Sequence, residues 1–172
     1  ATSHIAGLAG IKVFATGGLG GVHRGANESF DESADLGALG KLDIAIVCAG
    51  VKSILDVGAT LERLETLSIG LVGYKTNAFP GFYLTDSGFT LEHRADSAQE
   101  IAAIIKARRE LKTDSTALVV ANPVKDEMDR ARHDAILVSG LAAATAQGIT
   151  GKAVTPFLLE HFHTASQGES LK

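Results

Sequence analysis

Short β-branched runs alternate along this chain with longer stretches of helical period, and that alternation limits the fold more than any other feature. IKVFAT (11–16), DIAIVCA (43–49), IGLVGY (69–74) and TALVVA (116–121) have the length and composition of buried strands. In SAQEIAAIIKARREL (97–111), apolar residues recur every three or four positions behind a serine with a glutamate three residues on, the pattern of a capped helix start. Strands and helices in alternation predict an α/β fold, a three-layer α/β/α arrangement on a largely parallel or mixed sheet. Further helices are expected from Ser53 or Ile54 to about Thr66 with Ser53 as N-cap and Asp56 in the first turn, over His133 to Gln147, and over Thr155 to His163 with Thr155 as N-cap. There is no internal repeat, and 172 residues with 45% hydrophobic content suit a single α/β domain over 1–172.

Ligands of such sheets gather at the carboxyl ends of the strands. That edge collects GGLGGVHRG (17–25), CAGVKS (48–53), YKTNAFP (74–80) and ANP (121–123). The glycine-rich loop offers backbone N–H groups to an anion, with His23 and Arg24 beside them, and it reads equally well as a turn that lets the backbone bend. It fails the dinucleotide fingerprint, because Gly18-x-Gly20-x-x is followed by His23, and no Gly-Lys-Ser/Thr follows. Next, Glu28, Asp31, Glu32 and Asp35 crowd around Ser33; such oxygen donors suit Mg or Mn, and the alternative is a solvated acidic loop. Lys52 lies between a strand and a helix, where a neutral amine attacks carbonyl carbon; a phosphate anchor or a solvated lysine is the competing reading. Cys48 sits mid-strand among apolar residues and reads as core. The histidines His4, His93, His133, His161 and His163 are scattered and make no metal site.

A net charge of −4 leaves no basic footprint for nucleic acid and no polybasic membrane patch. No apolar stretch reaches the roughly 18–20 residues of a membrane span. A single cysteine rules out an internal disulfide framework, and a reducing, cytoplasmic setting is expected. The opening ATSHIAG has neither an initiator Met nor the regions of a signal peptide, and GESLK ends without a closing element, so the chain is expected to be incomplete at both ends.

Taken in order, ATGGLGGVHRGANESFDESADL, VCAGVKSILD, TLERLETLSIGLVGYKT, VVANP and AQGITGKAVTPFLLEHF resemble the pseudouridine-5'-phosphate glycosidase family, also called indigoidine-synthase-A-like. The resemblance runs from Ile5 to Leu171. It implies reversible cleavage of the C–C bond between uracil and ribose 5-phosphate, with a divalent ion, usually Mn. The family's covalent lysine matches Lys52, its metal-binding aspartate Asp31, and its substrate-contacting stretch Ser33, Ala34 and Asp35; His23 and Arg24 fall in the matching H-R-G block, His23 as a further catalytic residue. It also implies a small-molecule nucleotide substrate and a homotrimer. The family's glutamate acid/base and its phosphate-side lysine have no counterpart here, which puts them in a missing section or a separate N-terminal chain. Lys125 stands where the family has a second proline. The alternative is a catalytically incomplete sugar-phosphate-binding domain.

Overall fold

The structure is a computed structural model that describes residues 2–168. Helix α1 (Thr2–Leu8) leads to strand β1 (Val13–Ala15), then the short helices α2 (Ala26–Ser29) and α3 (Ala34–Leu39), strand β2 (Ala45–Cys48), α4 (Val57–Thr66), β3 (Gly70–Tyr74), β4 (Arg94–Ala95), α5 (Ala98–Glu110), β5 (Leu118–Ala121), α6 (Arg130–Ala146), a 3₁₀ turn (Gly151–Ala153) and α7 (Val154–Ala165). The five strands form one all-parallel sheet in the order β1-β2-β5-β3-β4. Last of the five in the chain, β5 fills the middle of the sheet, with Ala45 and Gly70 both in register with Leu118.

Helices cover both faces, which makes the three layers. On one face Ile46, Cys48, Val119 and Ala121 pack with Leu36 and Leu39 of α3, Leu64 of α4, Ile136 of α6 and Leu158 and Phe162 of α7. On the other, Ala45, Val72, Leu118 and Val120 meet Ile101, Ile104 and Ile105 of α5. Alternation along β2 and β5 thus feeds two cores, and that is why both strands read as unbroken apolar runs. β1 lies at the edge, with Val13 58% exposed.

The expected elements are present, and three helix starts differ. Helix α4 begins at Val57 rather than at Ser53 or Ile54, because Asp56 is its N-cap and accepts from the Ala59 N–H at 2.9 Å. Ser53 is drawn elsewhere. Helix α7 starts at Val154, so Thr155 lies inside it and caps nothing; the preceding 3₁₀ turn leads straight into the helix. Helix α6 starts at Arg130, three residues before His133, on an Asp129 cap that accepts from Arg132 N–H at 2.8 Å. Helix α5 matches its expectation, with Ser97 Oγ accepting from the Glu100 N–H.

Candidate functional site

All four loop segments meet at the carboxyl edge of the sheet. The glycine-rich loop leaving β1 crosses the end of β2: the Ala49 N–H donates to Gly17 O and the Leu19 N–H to Gly50 O, both at 2.9 Å. From the opposite side the Phe82 N–H donates to Ala49 O at 2.9 Å, and the Asn122 N–H donates to Cys48 O at 2.8 Å. Such close approach explains the glycines. A Cβ on Gly18 would come within 2.5 Å of the Phe82 ring, and one on Gly50, whose φ is +84°, within 1.8 Å of the Pro80 carbonyl oxygen.

Val22 is the centre of the loop. It bridges Glu32 on one side and Asp56 on the other, so the acidic segment and the Lys52 turn flank the same short stretch of backbone. Its N–H donates to Thr60 Oγ1 at 2.9 Å.

Lys52 follows the fully buried Val51, three residues beyond the end of β2, and is itself half-buried. Among the described residues its amine makes no hydrogen bond or ion pair, so no carboxylate is paired with it. The turn around it is tightly held. Lys52 O accepts from the Leu55 N–H at 2.9 Å, and the next two carbonyls, of Ser53 and Ile54, accept from Arg24 Nη2 at 3.1 Å and Nε at 2.9 Å. Arg24 therefore spans from the glycine-rich loop to the Lys52 turn; desolvation lowers its pKa, and the nearby Asp56 opposes that. Because α4 starts at Val57, Lys52 stands upstream of the helix rather than in its first turn.

The acidic segment separates by role. Glu32 pairs with Arg63 at 2.9 Å. Asp35 Oδ2 accepts from the Gly20 N–H at 3.1 Å, and Ser33, the N-cap of α3, accepts from the Asp35 N–H at 3.2 Å. Ala34 opens α3 and is exposed. Asp31 differs from the rest: its Oδ2 is buried without a hydrogen-bond partner and lies 3.3 Å from His23 Nδ1, which also meets Thr155 Oγ1 at 3.1 Å. Its neighbour Phe30 takes φ +54° and is 85% exposed.

Among the described residues no group of three or more His, Cys, Asp or Glu side chains is placed to hold a metal. One carboxylate oxygen without a hydrogen-bond partner among the described residues, that of Asp31, fits a hard divalent cation that keeps most of its waters, since such ions need only one or two carboxylates. A thiolate ligand is not on offer: Cys48 is buried, and desolvation pushes its pKa up to about 11.

One polar array escapes the sequence altogether. Ser53 Oγ lies 2.6 Å from His133 Nε2, and His133 Nδ1 lies 2.9 Å from Asp134 Oδ1. Eighty positions separate Ser53 from His133, and nothing local marks the pairing. Both line a cavity of about 280 Å³ with Arg24, Leu84 and Arg130. A larger groove of about 560 Å³, bordered by Glu62, Glu65 and Glu92, holds none of the expected site residues.

The family model for indigoidine synthase A like protein matches residues 1–172. The chain is 60% identical to the pseudouridine-5'-phosphate glycosidase of Salinispora tropica over 99% of its own length and 53% of that protein. With the pseudouridine-5'-phosphate glycosidase of Frankia alni the identity is 56%, over 99% and 48% of the two chains. Among solved structures it is similar to prealnumycin C-glycosynthase AlnA in complex with ribulose 5-phosphate (TM-score 0.89, 33% identity, 97% and 55% of the two chains). It is also similar to an indigoidine synthase A-like protein from Thermotoga maritima (TM-score 0.84, 37% identity, 99% and 56%). The chain spans about half the length of the curated relatives it matches.

Proposed function

The chain belongs to the indigoidine synthase A like protein family, and from that membership we propose that it forms part of an enzyme that reversibly splits pseudouridine 5'-phosphate into uracil and ribose 5-phosphate. The observation that carries the reading is Lys52: an amine with no carboxylate partner among the described residues, on a turn held by Arg24, at the strand edge where the glycine-rich loop and the acidic segment converge. A sugar-phosphate ligand agrees with the ribulose 5-phosphate held by the similar C-glycosynthase.

A carbon–carbon glycosidic bond has no heteroatom leaving group to protonate, so two carboxylates alone do not suffice. The lysine supplies an electron sink. The neutral Lys52 Nζ bonds to C1' as the ring C1'–O4' bond breaks, and one proton passes from the new ammonium to O4', which leaves a secondary amine on C1'. The nitrogen lone pair then forms C1'=N⁺ while the C1'–C bond to uracil breaks and that uracil carbon takes a proton. Water adds to the iminium and releases ribose 5-phosphate with the free amine.

In this reading Ser33, Ala34 and Asp35 contact the substrate together with Arg24, and His23 moves a proton beside Asp31. Asp31 is the residue that would hold a divalent cation, Mn or another such as Mg, whose positive charge would stabilise developing oxyanions. The glutamate acid/base comes from the remaining section or another chain, and the assembly is a homotrimer working in the cytoplasm. Among the described residues no helix is long and apolar enough to cross a membrane.

Borohydride trapping tests this. The chain is incubated with Mn and ribose 5-phosphate, reduced, and mapped by mass spectrometry. A pentose-phosphate adduct on Lys52 is expected. Its absence from a folded protein of the correct mass would leave a sugar-phosphate-binding domain without the covalent chemistry.

A further inference from the structure

We propose that His133 is a positioning residue for Lys52, acting through the hydroxyl of Ser53; the role rests on the covalent function of Lys52 proposed above. The proton inventory sets the direction of the array. A carboxylate only accepts, so the hydrogen on His133 Nδ1 points to Asp134 Oδ1, and in the neutral imidazole Nε2 is then the acceptor for the Ser53 O–H at 2.6 Å. Ser53 is thereby held at two atoms, its hydroxyl by His133 and its carbonyl by Arg24, while Arg24 also takes the Ile54 carbonyl. Ser53 and Ile54 are 8% and 1% exposed, so the stretch that follows Lys52 is both buried and cross-braced.

His133 is in turn closely packed. It is 2% exposed, and its ring lies 5.3 Å from Phe162 of α7 and 6.2 Å from Tyr83, which stack on each other at 5.2 Å. Helices α6 and α7 thus reach the Lys52 turn through one imidazole. No other described residue engages the Ser53 hydroxyl. Misplacing a reacting group by about 1 Å costs on the order of a hundredfold in rate, so a hydrogen bond one residue from the amine is enough to govern its aim.

The same three residue types, in the same order of contact, make a hydrolytic triad. Burial argues for the strut instead. The Asp134 side chain is 59% exposed while that of His133 is 3% exposed, whereas a nucleophile must meet its substrate and its carboxylate is the member held inside.

Rates of capture on Lys52 are measured with cyanoborohydride and saturating ribose 5-phosphate, alongside reductive methylation of Lys52 by formaldehyde, a probe too small to require aim. In Ser53→Ala and His133→Phe, sugar capture is expected to fall about tenfold or more, while half-saturation and methylation stay within about twofold. His133→Gln, whose amide carbonyl reaches the Nε2 position, is expected to recover most of the loss. Each variant must retain a cooperative thermal transition; if His133→Phe does not fold, Ser53→Ala and His133→Gln still decide. Capture at the wild-type rate in Ser53→Ala, an equal fall in methylation, or a fluorophosphonate adduct on Ser53 overturns the proposal. Wild-type protein that captures no sugar on Lys52 refutes the covalent function itself and this role with it, so the wild type separates the two failures.

Discussion

Arg24 Nε donates to the Ile54 carbonyl across 2.9 Å, and this bond ties the loop leaving β1 to the turn leaving β2. With Nη2 on the Ser53 carbonyl the guanidinium acts as a fork across two successive carbonyls. A lysine is a point charge and cannot reproduce the fork. Arg24→Lys is therefore expected to lose about 1 kcal/mol of stability, the usual size of such a bond at a partly exposed site. Urea unfolding checks it, and a variant as stable as wild type would mean that the fork does not hold the turn.

Gly20 and Gly37 are expected to respond in opposite directions to alanine. A Cβ on Gly20 would meet Ser33 Oγ at 2.2 Å and Asp35 Oδ2 at 2.9 Å, so Gly20→Ala should cost roughly 1–3 kcal/mol through overpacking. Gly37 lies within α3 with nothing near its Cβ direction, and Gly37→Ala should add about 0.5–1 kcal/mol through helix propensity. Denaturant midpoints of the two variants should move apart; if they shift the same way, the close packing of Ser33 on the loop is wrong.

Asp31 Oδ2 is buried beside His23 with no hydrogen-bond partner among the described residues, and this makes it sensitive to cations. Addition of MnCl₂ should raise the thermal midpoint of the wild type by mass action and leave Asp31→Asn unmoved. Equal shifts in both proteins would place the cation elsewhere.

The Cys48 thiol is held up at about 11 by burial, from an ordinary value of 9.0. A raised pKa means that the folded state keeps its proton longer than the unfolded chain. The stabilisation is therefore complete below pH 9 and is lost as the pH climbs from 9 toward 11. Aromatic disulfide reagents at pH 8 should react with Cys48 only as fast as the chain unfolds; a fast reaction in native buffer would contradict its burial.

The legible parts of this chain are those in which the signal is local. Helix α5 carries its own start in Ser97 and Glu100, and β2 and β5 are apolar on both faces because both faces are covered. The start of helix α4 is misleading in sequence because Ser53 and Asp56 are both competent caps, and only the third dimension reveals that His133 engages Ser53 and leaves the cap to Asp56. Thr155 misleads for the same reason, since its hydroxyl meets His23 across 132 positions. The two-residue strand β4 and helix α1, which has neither an acidic first turn nor a basic last turn, offer almost no periodicity to read. Within the site, resemblance supplies the names of Lys52 and Asp31, while the bracing by Arg24 and the Ser53–His133 contact are long-range and leave no mark in the sequence.

The place of β5 governs how the chain reaches this structure. Until residues 118–121 insert, β1 with β2 and β3 with β4 are two separate ribbons with no shared ladder. A nascent chain, made from its amino end, therefore cannot complete the sheet until residues 118–121 are available. Closure waits on contacts between segments far apart in sequence, which is slow for parallel pairing. The last rung added is the one on which both halves of the sheet depend.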